Sequence, residues 1–117
     1  MDNNFNLIIT IVNRGFAETV MSAARERGAT GGTILHGKST GAALQKFHNI
    51  VLEDEKETTL IVTPTSLKNN IMDGILHAAD ITSAAQGVTF SLPVEDFFVL
   101  KKQNLARSSE PTREESK

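Results

Sequence analysis

"GGTILHGKST" runs from Gly31 to Thr40, and its reading decides the fold. From Gly32 to Ser39 it follows G-x-x-x-x-G-K-[ST], the pattern of a phosphate-binding P-loop. A P-loop needs a strand before its first glycine and a helix beginning at its Lys-Ser/Thr pair. Here the preceding segment is "GFAETVMSAARER" (15–27), with Phe16, Val20, Ala23, Ala24 and Arg27 at helical spacing. The four variable positions, Thr-Ile-Leu-His, favour extended backbone themselves. An extended chain cannot curl its amides around a phosphate. No apolar run ending in a magnesium-binding Asp follows. The stretch therefore reads as a strand, Thr33–His36, entering a polar, glycine-bearing loop, "GKSTGAALQ" (37–45).

Outward from this point the elements alternate. "FNLIITIV" (Phe5–Val12) reads as a central strand, with Leu7, Ile9 and Ile11 on one face and Ile8, Thr10 and Val12 on the other. Glu18, Ser22, Arg25 and Glu26 fall on the wet side of the first helix, and Gly28 is placed to end it with positive φ. "KFHNIVL" (46–52) reads equally as a strand or as the far arm of the loop. "EDEKE" (53–57) reads as a solvated charged turn. "TTLIVT" (58–63) is a β-branched strand closed by Pro64, after which Thr65 or Ser66 can cap a helix. Leu67, Ile71, Ile75 and Ala78 then form an apolar stripe at helical spacing. "GVTFSLP" (87–93) is a last strand, with Val88, Phe90 and Leu92 expected inward and Thr89 and Ser91 opposite. "VEDFFVL" (94–100) offers a short edge segment. The stretch 101–117, nearly devoid of apolar residues, reads as a disordered tail.

Two βαβ halves in succession predict an α+β, ferredoxin-like βαββαβ domain over residues 1–100. It has a four-stranded antiparallel sheet with both helices on one face, and a loop at about 37–57. The uncovered sheet face, expected to carry Ile8, Val12, Ile61 and several Thr, predicts self-association through that face.

The chain has 117 residues, a net charge of −2, and no Cys, Trp or Tyr. These values argue against disulfides, thiolate chemistry and the basic, aromatic surfaces of nucleic-acid binders. The start, "MDNNFNLIITIV", lacks the basic opening of a secretory signal, and no window suits a membrane span; a cytoplasmic location is expected. His36, His48 and His77 lie on three different elements. Glu95 and Asp96 are adjacent and point apart on an extended segment, and no Ser stands in a G-x-S-x-G turn. Without a catalytic constellation the expectation is a binding protein, not an enzyme.

The element order, together with "GTILHGKSTG", "EKETTLIVT" leading to Thr65-Ser66-Leu67, and "AQGVTFSLPVED", resembles the PII signalling family over residues 5–101. The resemblance implies a homotrimer with the open sheet faces inward and ATP or ADP held in clefts between subunits. It also implies a long loop (the T-loop) that docks on a target protein, such as a membrane transporter or an enzyme of nitrogen metabolism. Thr33 then matches the threonine near the adenine, and Gly41 a glycine at the loop base. Lys56 matches a lysine that reaches phosphate, and Gly87 a glycine before the last strand. Lys38 adds a cation at the loop base. Gln86 replaces an Asp, Ala85 a Gly, and Lys101 stands in for an Arg. Val88 and Val99 replace two cations, so the resemblance implies altered nucleotide binding, with ATP, ADP, AMP or another anion as ligand. Gly37, Ser39, Thr40, Lys46, Phe47 and His48 are the implied partner-contacting residues. The loop is short and, lacking Tyr, cannot be uridylylated on tyrosine. The alternative is a metal-binding ferredoxin-like trimer resembling the copper-tolerance group, with His36 and His48 converging from two arms of the loop.

Overall fold

The structure is a computed structural model that describes residues 4–40, 55–78 and 87–100. In chain order it contains β1 (Phe5–Asn13), α1 (Ala17–Glu26), β2 (Thr33–Lys38), β3 (Glu55–Pro64), α2 (Thr65–Leu76) and β4 (Val88–Val94). The four strands form one sheet in the order β2-β3-β1-β4. β1 pairs antiparallel with β3 from Phe5 opposite Pro64 to Asn13 opposite Lys56, and with β4 from Phe5 opposite Val94 to Ile11 opposite Val88. Each βαβ crossover therefore steps over one strand of the other half. This is the expected βαββαβ architecture.

Local chemistry explains the helix ends. Gly28, at φ +114°, closes α1: its N–H donates to the Arg25 carbonyl and the Ala29 N–H to the Ala24 carbonyl, a Schellman pair. α2 begins without the expected Thr or Ser cap. Pro64 occupies the cap position, and the Thr65 hydroxyl donates instead to Asn6 Oδ1 at 2.7 Å. The helices meet where Gly74 faces Arg27; a Cβ on Gly74 would lie 2.5 Å from Arg27 Cγ. Across this contact Arg27 donates to Asn70 Oδ1 at 3.0 Å, and Asn70 Nδ2 donates back to the Arg27 carbonyl at 3.2 Å, so a side chain of α2 serves the end of α1.

The core lies between the helices and one face of the sheet: Ile8, Val12 and Ile61 from the strands, Val20, Met21 and Ala24 from α1, and Ile71 and Ile75 from α2. The two sheet faces are thus exchanged relative to the sequence expectation. Ile8, Val12 and Ile61 sit under the helices, whereas the open face carries Leu7, Ile9, Ile11, Leu60 and Val62 with Val88, Phe90 and Leu92 alongside. Phe90 and Leu92, expected inward, are 42% and 47% exposed. Thr89 is the residue turned toward the helices, bonded through its hydroxyl to that of the buried Thr10 at 2.8 Å. Alternation in β1 is apolar on both faces, so the sequence pattern establishes two faces without ranking them.

The "EDEKE" turn is corrected in part as well. Glu55, Lys56 and Glu57 belong to β3, paired with Lys38, Gly37 and His36 of β2. β2 also extends two residues beyond Thr33–His36. Strand pairing therefore enters both ends of the 37–57 span read as loop. Beyond Val94 the described chain forms no further strand, and Phe97 rests its ring against Phe5 at 4.8 Å.

One group in the core is badly served. The Thr59 hydroxyl is fully buried and has no hydrogen-bond partner among the described residues. A buried, unsatisfied hydroxyl costs about 1–3 kcal/mol, and valine keeps the shape without the polar atom. Thr59→Val is expected to raise stability by about 1 kcal/mol and the melting midpoint by roughly 4–8 °C. A lowered midpoint in thermal denaturation would show that the hydroxyl has a partner in solution.

Candidate functional site

One end of the sheet gathers the chemistry. The chain leaves β2 at Lys38 and re-enters at Glu55, while β1 ends at Asn13 and β4 starts just after Gly87. At this end a cleft of about 420 Å³ is lined by Arg14, His36, Gly37, Lys38, Glu55 and Lys56. Of the sequence-expected site residues, Gly37, Lys38 and Lys56 line it. Gly87 lies at the same end of the sheet, packed on Ile11 and Val12 of β1. Thr33 is not brought to it; it stands opposite Leu60, at the far end of β2. Gly41, Lys46, Phe47, His48, Gln86 and Lys101 lie outside the described residues, and Ser39 and Thr40 directly follow β2.

Three consecutive residues of β3 tie this end to the β1–α1 corner. Arg14 contacts Glu55 Oε1 at 2.5 Å through its guanidinium, and its N–H donates to the Glu55 carbonyl at 3.1 Å. Lys56 Nζ donates to Asn13 Oδ1 at 2.5 Å. Glu57 accepts the Ala17 N–H at 2.9 Å, and its other oxygen lies 3.3 Å from His36 Nε2. Phe16 gives α1 no side-chain cap, so Glu57 supplies one from a strand forty residues away. Sequence reasoning misses Arg14 and Glu57, because neither stands in a recognisable motif. The cap pattern is searched for within a few residues of a helix start, not across the sheet.

Burial pushes the Glu57 carboxyl upward, but the N–H groups of Ala17 and Gly15 and the neighbouring His36 outweigh it, and its pKa lies below the ordinary value. A carboxyl lowered in the folded state stabilises the fold above its unfolded pKa, about 4.3 for Glu, and that contribution is lost as pH falls through the lowered folded value. Glu57→Gln should therefore flatten the acid side of the stability curve as pH falls from about 5 through the unfolded Glu value and below it, relative to the parent. Denaturant midpoints across that range test this, and parallel curves would contradict it.

Among the described residues no group of three His, Cys, Asp or Glu side chains could hold a metal, and His48 lies outside them. Val88 and Val99, which stand where the resemblance implies cations, are 57% and 43% exposed. No helix among the described residues is long and apolar enough to cross a membrane.

A four-stranded βαββαβ sheet with both helices on one face and the other face open defines a ferredoxin-like module. The chain belongs to the nitrogen regulatory protein P-II family, whose model matches residues 5–104. Among solved structures it is similar to Arabidopsis thaliana PII bound to citrate, with 22% identity and a TM-score of 0.62 over 87% of this chain and 83% of that one. It is also similar to a Thermus thermophilus protein described as PII-like and signalling, with 13% identity and a TM-score of 0.58 over 80% of this chain and 91% of that one. A search of curated proteins gave no match.

Proposed function

We propose that this chain is a non-enzymatic signal-transduction protein. It assembles as a homotrimer through the open sheet face and binds a small anionic effector at the loop-base end of the sheet. Through the 37–57 connection it controls a partner protein, such as a membrane transporter or an enzyme of nitrogen metabolism. The carrying observation is the cleft at the root of that connection, which Arg14, Lys38 and Lys56 line together with Glu55. Among the described lining residues three permanent cations outnumber one carboxylate, which favours an anion, and oxyanions accept charge-assisted bonds worth about 1.5–3 kcal/mol each.

The effector is an adenine nucleotide or a related anion. Val88 and Val99 remove two cations that the family resemblance implies, which weakens the hold on a triphosphate and favours ADP, AMP or a carboxylate. The citrate on the Arabidopsis relative supports a carboxylate ligand for this fold. The open apolar face adjoins the same end of the sheet, so a neighbouring subunit seated there would complete a cleft that one chain leaves shallow.

Isothermal titration with ATP, ADP, AMP and citrate, with and without magnesium, on protein whose mass is measured in the same sample, tests the reading. Micromolar binding of one of these anions by a trimer is the expected result. A trimer that binds none of them would remove the effector assignment, and a monomer would remove the assembly.

A further inference from the structure

The loop-base cleft contains its own anion. Glu55 is the first residue of β3 and lines the cleft together with Arg14, His36, Lys38 and Lys56. Its carboxylate takes the Arg14 guanidinium at 2.5 Å. On its other side the strand register sets Lys38 directly opposite, so Glu55 stands between two cations. Lys56 donates to the amide oxygen of Asn13 on the opposite face of the sheet, and among the described residues it forms no ion pair. His36 is engaged by Glu57, behind it. Among the described residues, one carboxylate thus stands between the two cations Arg14 and Lys38.

The pair is built to exchange. The side chains of Arg14 and Glu55 are 58% and 52% exposed, and ion pairs with this much exposure contribute little net stability. The backbone bond from the Arg14 N–H to the Glu55 carbonyl holds the strand end in place independently of the side chains. The carboxylate can therefore leave the guanidinium without unpairing β3. A planar guanidinium accepts a carboxylate or a phosphate in the same two-pronged geometry.

We infer that the Glu55 carboxylate is an exchangeable internal stand-in for the effector's anionic group: an incoming carboxylate or phosphate takes its place on Arg14, and Glu55 thereby sets the affinity of the cleft. The inference rests on the effector reading given above and adds a residue and a mechanism to it. It also supplies a route for the signal. Glu55 is the point at which the connection from Lys38 rejoins the sheet, so occupancy of Arg14 by ligand frees a charged side chain at the root of that connection.

The test is calorimetric titration of the intact chain with citrate and with ADP at low ionic strength, for the parent, Glu55→Gln, Arg14→Gln and the double variant. The glutamine keeps the volume and the backbone bond, and melting curves check that each variant is folded. Glu55→Gln should bind at least one probe about 5-fold more tightly, the value of an exposed pair of about 1 kcal/mol. Arg14→Gln should weaken binding, and the double variant should show no gain over Arg14→Gln. Unchanged or weaker binding by Glu55→Gln, where the parent binds, would overturn the inference and leave the effector reading standing. An equal gain in the double variant would also overturn it, because the gain would not pass through Arg14. Silence of parent and Glu55→Gln toward both probes would overturn the inference and the effector site together.

Discussion

Phe90→Lys combined with Leu92→Lys is expected to convert the proposed trimer to a folded monomer. The two residues lie on β4, opposite Ile9 and Leu7, on the face that the helices leave bare. With Ile11, Leu60, Val62 and Val88 they make a continuous apolar surface across β3, β1 and β4. Burying apolar area is worth about 25 cal/mol per Å², so covering this surface with a second copy is strongly favourable. Two lysines there reverse the sign. In an assembled interface each is a desolvated, unpaired charge costing several kcal/mol, and three copies bring six of them together. In an isolated subunit the same side chains point to water, where substitutions usually shift stability by less than about 0.5 kcal/mol. Circular dichroism should remain that of the parent while light scattering reports a third of the mass. Persistence of the parent mass would mean that the subunits associate through another surface.

The same face shows what the amino-acid pattern could and could not convey. Element order was legible because the signals are local. β-branched runs, a glycine at positive φ after α1 and the Leu67–Ile71–Ile75 stripe each depend on neighbours within a few residues. The partition between core and interface was not legible. β1 is apolar on both sides because one side meets helices and the other lies open for a partner, and period-two alternation is identical in the two cases. Threonines deepened the ambiguity: Thr10, Thr59 and Thr63 look like surface residues and are buried beneath the helices. Large side chains in β4, by contrast, look like core and face outward.

The site divides in the same way. Lys38 and Lys56 were visible as cations near a loop base, and the fold does bring them to one cleft. Arg14, Glu55 and Glu57 were not visible as site residues. Their roles depend on a register that pairs the end of β1 with the start of β3, a contact across about forty residues of chain. Taken along the chain alone, "EDEKE" is a solvated charge run. Folded, its last three residues alternate among an anion on Arg14, a cation on Asn13 and a cap on α1. A charge run becomes a site only when each side chain's opposite number is known.

Gly87→Ala is expected to cost more stability than alanine at any other described glycine. A Cβ built on Gly87 collides with the Ile11 carbonyl oxygen and comes to 2.7 Å from Val12 Cγ1. Neither can yield. Ile11 belongs to the central strand, held by β3 on one side and β4 on the other, and Val12 is fully buried in the core. Relief requires β4 to move off β1 at its first paired residue, which disrupts the ladder and uncovers core. Overpacking of this kind costs typically 1–3 kcal/mol, and a clash with fixed backbone belongs at the upper end, so we expect a loss of about 3 kcal/mol. Gly31 and Gly37 provide the control, because a Cβ on either meets nothing within 4 Å and alanine there should be nearly neutral. The comparison also separates two roles for Gly87. If it matters as a close-packing point, urea midpoints fall sharply and any loss of anion binding follows the loss of fold. If it matters chiefly as a ligand contact, Gly87→Ala would keep the parent midpoint and lose binding alone, and the steric argument would be wrong. We expect the first result, because the obstruction comes from the strand at the centre of the sheet and is present whether or not an effector is bound.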